Sequence, residues 1–221
     1  MSGPQSQREK LREKRKQAAK KRIATLVIVL SAVALAIFLI AMLPKLSLDK
    51  NQLYLQDGFS IGDPNAPVKV EEFSDFRCSH CQNFALNYEA DFIKKYVDTG
   101  LVYLTFHNYA FLAEDSTDAA EATYCAAEQN AFWQYKNLLY TYSTDADAFA
   151  EKNLIDYAKQ LDLDTGLFSA CLQSDANLTK LDEIMNYANT IGINSTPQFS
   201  VNGTIVYMNT LDQTVDAALQ R

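Results

Sequence analysis

Apolar and polar positions fall into distinct regimes along the chain. Ile23 to Leu43 is an unbroken run of apolar and small residues without a charge. At about 1.5 Å rise per residue, a helix of that length crosses a hydrocarbon core of roughly 30 Å. Residues 44–62 read as a linker with one short strand candidate, Leu53-Tyr54-Leu55. Val68 to Phe73 and Leu101 to Phe106 lack clean alternation and predict strands buried on both faces. Between them Phe84, Ala85, Tyr88, Phe92 and Tyr96 predict a helix to about Val97, with Gly100 just past its end.

From about Ala113 to Ile191 the pattern is helical. Asp115, Ser116, Thr117 and Asp118 offer caps before an alanine-rich run through Ala127. Phe132, Trp133, Tyr135, Leu138 and Leu139 continue the apolar faces and read as core. Asp145 to Leu161, Asp164 to Leu172 and Asp175 to Ile191 predict three more helices, the last stopped by Gly192. Asn202-Gly203, between Gln198–Val201 and Thr204–Tyr207, is a strong hairpin signal, and Leu211 to Leu219 predicts a closing helix. The order is strand, helix, strand, helical block, hairpin, helix. This predicts an α/β domain over residues 63–221 with a right-handed βαβ unit, antiparallel edge strands and a helical insertion at about 113–191.

Charge divides the chain at the apolar run. Nine basic and two acidic residues give residues 1–22 a net +7, while 11 basic and 25 acidic residues leave the remainder at −14. That asymmetry predicts a basic cytoplasmic tail, a transmembrane helix over 23–43 and an extracytoplasmic domain. A cleaved signal peptide is the alternative. Its apolar region would be shorter, roughly 7–15 residues, and Ala41-Met42-Leu43-Pro44 is a poor cleavage site. No nucleic-acid partner is expected, because the basic tail abuts the apolar run and the rest is acidic. All four cysteines follow the run, and an even count fits an oxidising compartment. There Cys125 and Cys171 read as a disulfide; in a cytosol they would read as inert core thiols. A second redox pair is the functional alternative, and the absence of CxxC spacing argues against it.

The sharpest chemical signal is Cys78-Ser79-His80-Cys81, between the first predicted strand and its helix. A helix N-terminus presents unpaired N–H groups and partial positive charge, which lowers the pKa of the first cysteine and makes it the nucleophile. Cys81, one turn in, is the resolving thiol. His80 can add charge or a hydrogen bond to the same thiolate, or stand idle on the helix surface. A zinc site would need a second close ligand pair, and haem attachment a histidine where Gln82 stands. The thiol pair itself carries the electrons, so no cofactor and no metal is expected.

Three stretches carry a resemblance. They are Gly62-Asp63-Pro64-Asn65-Ala66-Pro67-Val68, Glu72-Phe73-Ser74-Asp75-Phe76 leading to Cys78 and Cys81, and Gly192-Ile193-Asn194-Ser195-Thr196-Pro197 with Phe199, Val201, Asn202 and Gly203. With Cys125 to Trp133 and Leu167 to Leu172 between them, the chain resembles the DsbA-like thiol oxidoreductases of the membrane-anchored bacterial type over about residues 58–221. The resemblance implies a thioredoxin-like fold with a helical insertion and dithiol oxidation of unfolded or reduced exported proteins. Reduction or isomerisation on the same fold is the alternative, and a non-catalytic peptide-binding module is a remoter one. It implies that Glu72 is a buried acid that relays a proton to Cys81, with Glu71 as the rival for the role. It also implies a cis bond at Pro197, with Thr196 facing the CxxC and pairing with a substrate strand. The implied redox partner is a quinone-linked membrane protein of the DsbB or vitamin K epoxide reductase type. Ser79 stands where proline is commoner, and Arg77 where an uncharged residue is usual.

Overall fold

The computed structural model describes residues 58–220. The tail at 1–22, the apolar run at 23–43 and the strand candidate at 53–55 lie outside the described residues. Among those described, no helix is long and apolar enough to cross a membrane.

A five-stranded sheet runs in the order β1-β3-β2-β4-β5, with β1 Ser60–Ile61, β2 Val68–Ser74, β3 Val102–Asn108, β4 Gln198–Val201 and β5 Thr204–Tyr207. β2 and β3 are parallel, in register from Val68↔Val102 to Ser74↔Asn108. The crossover between them holds α1 Ser79–Asn87, α2 Glu89–Phe92 and a wide π-turn at Ile93–Val97. The predicted single helix is therefore broken at Tyr88, whose φ of −125° leaves the helical region. β4 joins β2 antiparallel, and β5 closes that edge, as the Asn-Gly turn predicts.

The insertion comprises α3 Asp115–Ala127, α4 Phe132–Tyr142, α5 Glu151–Gln160, α6 Thr165–Leu172 and α7 Leu178–Ile191; α8 Leu211–Ala218 closes the fold. Two of these begin later than the apolar pattern predicts. Residues 145–150 form turns before α5, and Asp175, at φ 50°, sits in a turn before α7. Residues 60–61 also depart from the predicted linker. They pair with Leu104 and Thr105 of β3, so the sheet begins before residue 63. Gly62 makes that entry possible: its φ is 107°, and a Cβ there would lie 2.6 Å from the Val102 carbonyl oxygen.

The sheet has two unlike faces. Val68, Val70, Val102, Leu104, Phe199 and Val201 are fully buried beneath α1, α2 and α8. On the other face Lys69 and Glu71 stay half-buried, while Phe73 packs with Tyr109, Ala188 and Ile193 under α7. β3 alternates buried and half-buried along its whole length. It is therefore not the strand buried on both faces that its residues 101–106 predict. Glu72 lies on the apolar face, and that position shapes the site.

Candidate active site

The site stands where β2 runs into α1. The chain leaves β2 at Ser74 and turns through Asp75, Phe76 and Arg77. Cys78 is the N-cap of α1, in an extended conformation at φ −80°, ψ 115°. An N-cap side chain faces the free amides of the first turn. The Cys78 sulfur duly accepts from the Cys81 amide at 3.4 Å, and the His80 amide points to it as well. Cys78 and Cys81 are free thiols, 7% and 0% exposed.

The two thiols are held in opposite senses. The Cys78 pKa is lowered to about 5, first by the hydrogen bond from the Cys81 thiol, then by the Thr196 side chain and the two amides, against the cost of burial. Cys81 is pushed far above its ordinary value by burial and by the neighbouring Cys78. The pair therefore resolves into a stabilised thiolate and a retained thiol. When protonated, Cys78 donates to the Thr196 carbonyl at 3.2 Å.

Thr196 arrives on a loop built for the purpose. α7 ends at Gly192, which takes the left-handed conformation at φ 90° that glycine tolerates. The Gln198 side-chain oxygen accepts from the amides of Asn194 and Ser195 at 2.8 and 3.0 Å. Tyr109, just past β3, has its hydroxyl 2.9 Å from Asn189 Oδ1 in the last turn of α7 and 3.4 Å from the Ile193 carbonyl on the same loop. The Thr196–Pro197 bond is cis. Thr196 and the CxxC thus meet although 118 residues separate Cys78 from Thr196.

His80 is exposed on α1. Its backbone amide, rather than its ring, reaches the Cys78 sulfur. Glu72 is fully buried, accepts from Ser74 Oγ at 2.6 Å, and its Oε2 has no partner. Burial is the first reason its pKa rises, to about 7; Lys136 opposes the rise and Glu89 adds to it. Glu71 points to the other face, where it meets His107 at 3.1 Å and Tyr187 at 2.9 Å. The period of two along a strand thus separates the two rivals, and only Glu72 lies on the sheet face that receives α1.

Several site residues were not anticipated from sequence. Lys136 is fully buried, pairs with Glu89, and lies 4.8 and 5.1 Å from the ring centres of Trp133 and Phe106. A lysine on the apolar stripe between Phe132 and Tyr140 was the available signal, because a buried ammonium demands a buried carboxylate. Asp75, 1% exposed, accepts from the Arg77, Phe111 and Leu112 amides and from Ser116, all within 2.7–2.9 Å. Arg77 pairs with Asp115, donates to the carbonyls of Ser143, Asp145 and Ala146, and lies 4.3 Å over the Phe149 ring. The charge beside Cys78 is thus committed to fastening the insertion. Cys125 on α3 and Cys171 on α6 are bonded to each other, with Cα atoms 5.7 Å apart. Among the described residues, no group of three or more His, Cys, Asp or Glu side chains is placed to hold a metal ion.

Known proteins resemble this chain in sequence and in fold. The thioredoxin family model matches residues 55–221. A probable disulfide bond formation protein D from Bacillus anthracis is 28% identical over 171 residues, covering 73% of this chain and 78% of that protein. The Na(+)/H(+) antiporter NhaA 3 of Salinispora tropica is 32% identical over 149 residues, 64% of this chain; the chain spans only 21% of the antiporter's length. Among solved structures, oxidised BdbD from Bacillus subtilis superposes with a TM-score of 0.68 at 22% identity, covering 74% of this chain and 94% of that one. Chlamydia trachomatis DsbA does so at 0.65 and 22%, covering 72% and 89%. The chain belongs to the thioredoxin family, and within it to the DsbA-like thiol–disulfide oxidoreductases.

Proposed function

We propose that this protein is a membrane-tethered, extracytoplasmic dithiol oxidase that introduces disulfides into exported proteins through Cys78 and Cys81. The observation that carries the reading is the placement of Cys78 at the N-cap of α1, with its sulfur against the Cys81 amide and the Thr196 loop, where a thiolate is stabilised. A disulfide whose reduced form is stabilised gives up its bond readily, which makes it an oxidant. A substrate thiolate attacks Cys78 of the enzyme disulfide, and the electron pair leaves on Cys81. A second substrate thiolate then resolves the mixed disulfide, and Cys78 departs as the stabilised thiolate. Thr196 and Pro197 lie beside the attacked sulfur, where an extended substrate can pair with the loop backbone. The His80 amide supports the thiolate, and a protonated His80 ring would add to it through solvent. The Cys125–Cys171 bond is structural: it ties α3 to α6 within the insertion.

Residues 23–43 form the membrane anchor in this reading, with 1–22 in the cytoplasm of a bacterial cell and the catalytic domain outside. The support is the uncharged length of the run and the basic excess before it. A quinone-linked membrane partner of the DsbB or vitamin K epoxide reductase type would return Cys78 and Cys81 to the disulfide. The test is oxidation of a reduced, unfolded protein by the oxidised full chain in detergent. Stoichiometric transfer of one disulfide per chain is expected. Failure to transfer, with reduction of substrate disulfides instead, would favour the reductase or isomerase alternative.

A further inference from the structure

Ser74 stands two residues after Glu72 on β2, so both side chains project from the sheet face that receives α1. The Ser74 hydroxyl donates to Glu72 Oε1 at 2.6 Å. The same hydroxyl lies near enough to Cys81 and Tyr140 to pull the pKa of each down against the burial that raises it. Ser74, Glu72, Cys81 and Tyr140 are each at most 1% exposed. A serine hydroxyl donates one proton and accepts another, so it can pass a proton between two groups that do not touch. With Glu72 ionised, the hydroxyl must donate to the carboxylate, which leaves its lone pairs toward the Cys81 thiol.

We propose that the Ser74 hydroxyl is the proton relay between the Cys81 sulfur and the Glu72 carboxyl. The proposal rests on the reading of Cys78 and Cys81 as an exchanging dithiol pair. When a substrate thiolate attacks Cys78, the Cys78–Cys81 bond breaks and its electron pair goes to Cys81. Ser74 gives its proton to that sulfur and takes one from the Glu72 carboxyl, which becomes a carboxylate. In the reverse step Cys81 returns a proton to Ser74, Ser74 passes its own to Glu72, and the Cys81 thiolate attacks a mixed disulfide on Cys78. The partner's sulfur leaves with the electron pair. Lys136 and Glu89 face Glu72 from α4 and α2, Tyr140 faces both Cys81 and Glu72 from α4, and Cys78 faces Cys81. The relay has a use because Glu72 exchanges its proton near neutral pH, whereas Cys81 alone does not.

The reduced full chain treated with an aromatic disulfide reagent releases two equivalents of coloured thiol. The first reports attack by Cys78 and the second reports attack by Cys81 on the mixed disulfide. In the wild type the second step is expected to rise with pH through about 7 and then level, as Glu72 ionises. Ser74→Ala should leave the first step unchanged, which also certifies the fold. It should slow the second by at least about tenfold, against the roughly 10²–10⁴-fold of general acid–base transfer, and make it climb without levelling into alkali. The wild type supplies a second measurement: in mixed light and heavy water, transfer through a hydroxyl moves two protons and predicts a curved dependence of the second step on isotope fraction. A Ser74→Ala second step with wild-type rate and pH profile, or a linear isotope dependence in the wild type, would overturn the relay. Absence of any second release from the wild type would instead overturn the exchange reading on which it rests.

Discussion

The stabilisation of Cys78 by Cys81 is open to a direct perturbation. The Cys81 thiol is the leading cause of the lowered Cys78 pKa, ahead of Thr196 and the amides of Cys81 and His80. Cys81→Ala removes that donor and leaves the others in place, because the amide at position 81 survives the substitution. A hydrogen bond to a charged group contributes about 1.5–3 kcal/mol. At about 1.36 kcal/mol per tenfold change, the thiolate population at a fixed acidic pH should fall about ten- to hundredfold. The alanine also empties a space filled by a fully buried sulfur, so Phe84 and Ala85 must hold α1 in position. The assay is the rate of iodoacetamide alkylation of Cys78 against pH, with thiolate absorbance as an independent probe. The wild type should show half-maximal reactivity near pH 5, and Cys81→Ala should shift the curve to higher pH by the factor above. An unshifted curve would refute the assignment and transfer the stabilisation to the backbone amides.

Other consequences follow from the same geometry. Cys81→Ser should accumulate mixed disulfides with substrate through Cys78, whereas Cys78→Ser should form none; trapping through Cys81, read by peptide mapping, would reverse the roles. A lowered thiol pKa contributes stability above the unfolded value and loses it as pH falls through the folded value. The reduced chain should therefore gain stability relative to the oxidised chain as pH rises from about 5 toward 9, measured as the difference in urea midpoints; no change would contradict it. Lys136→Met leaves Glu89 and Glu72 buried without their cation and should cost about 3–5 kcal/mol in urea unfolding, and a loss under about 1 kcal/mol would show the pocket to be wetter than its burial implies. Opening the Cys125–Cys171 link, whose loop spans 46 residues, should cost about 4 kcal/mol by the chain-entropy relation, and a fully stable Cys125→Ala/Cys171→Ala chain would deny it a structural role.

The legible parts of this chain were those written in local pattern. The βαβ unit, the Asn-Gly hairpin and the five insertion helices each leave a periodic or turn signal within a dozen residues. The break at Tyr88 and the late start of α5 left none, because apolar residues continue through them, while at α7 both Asp175 and Asn177 are cap residues and the fold uses Asn177. The two-residue strand at Ser60–Ile61 was too short for any period to show. In the site, Cys78 and Cys81 were evident from spacing, and their meeting with Thr196 was legible only through family resemblance. The choice between Glu71 and Glu72 needed the register of β2, since adjacent strand residues face opposite ways. The ring of His80 lies on the exposed side of α1, and the sequence could not separate its ring from its amide as the group that reaches the sulfur. Lys136 and Arg77 escaped for a common reason. Each has partners distant in sequence, Glu89 for one and Asp115 with the 143–146 turn for the other, so only the folded chain assigns their charge.

The central claim is that stabilising the Cys78 thiolate makes this protein an oxidant, and the direct measurement is the reduction potential of the Cys78–Cys81 pair in the full chain. It is obtained by equilibration with glutathione redox buffers at pH 7, following the fraction reduced. The account predicts a value clearly above the roughly −270 mV of thioredoxin, since every tenfold gain in the stability of the reduced pair raises it by about 30 mV. It also predicts that His80→Ala lowers it by less than about 30 mV, because an exposed charge acts across water with no more than about 1 kcal/mol. A wild-type potential at or below that of thioredoxin would contradict the oxidase reading, whatever the thiol titrations show.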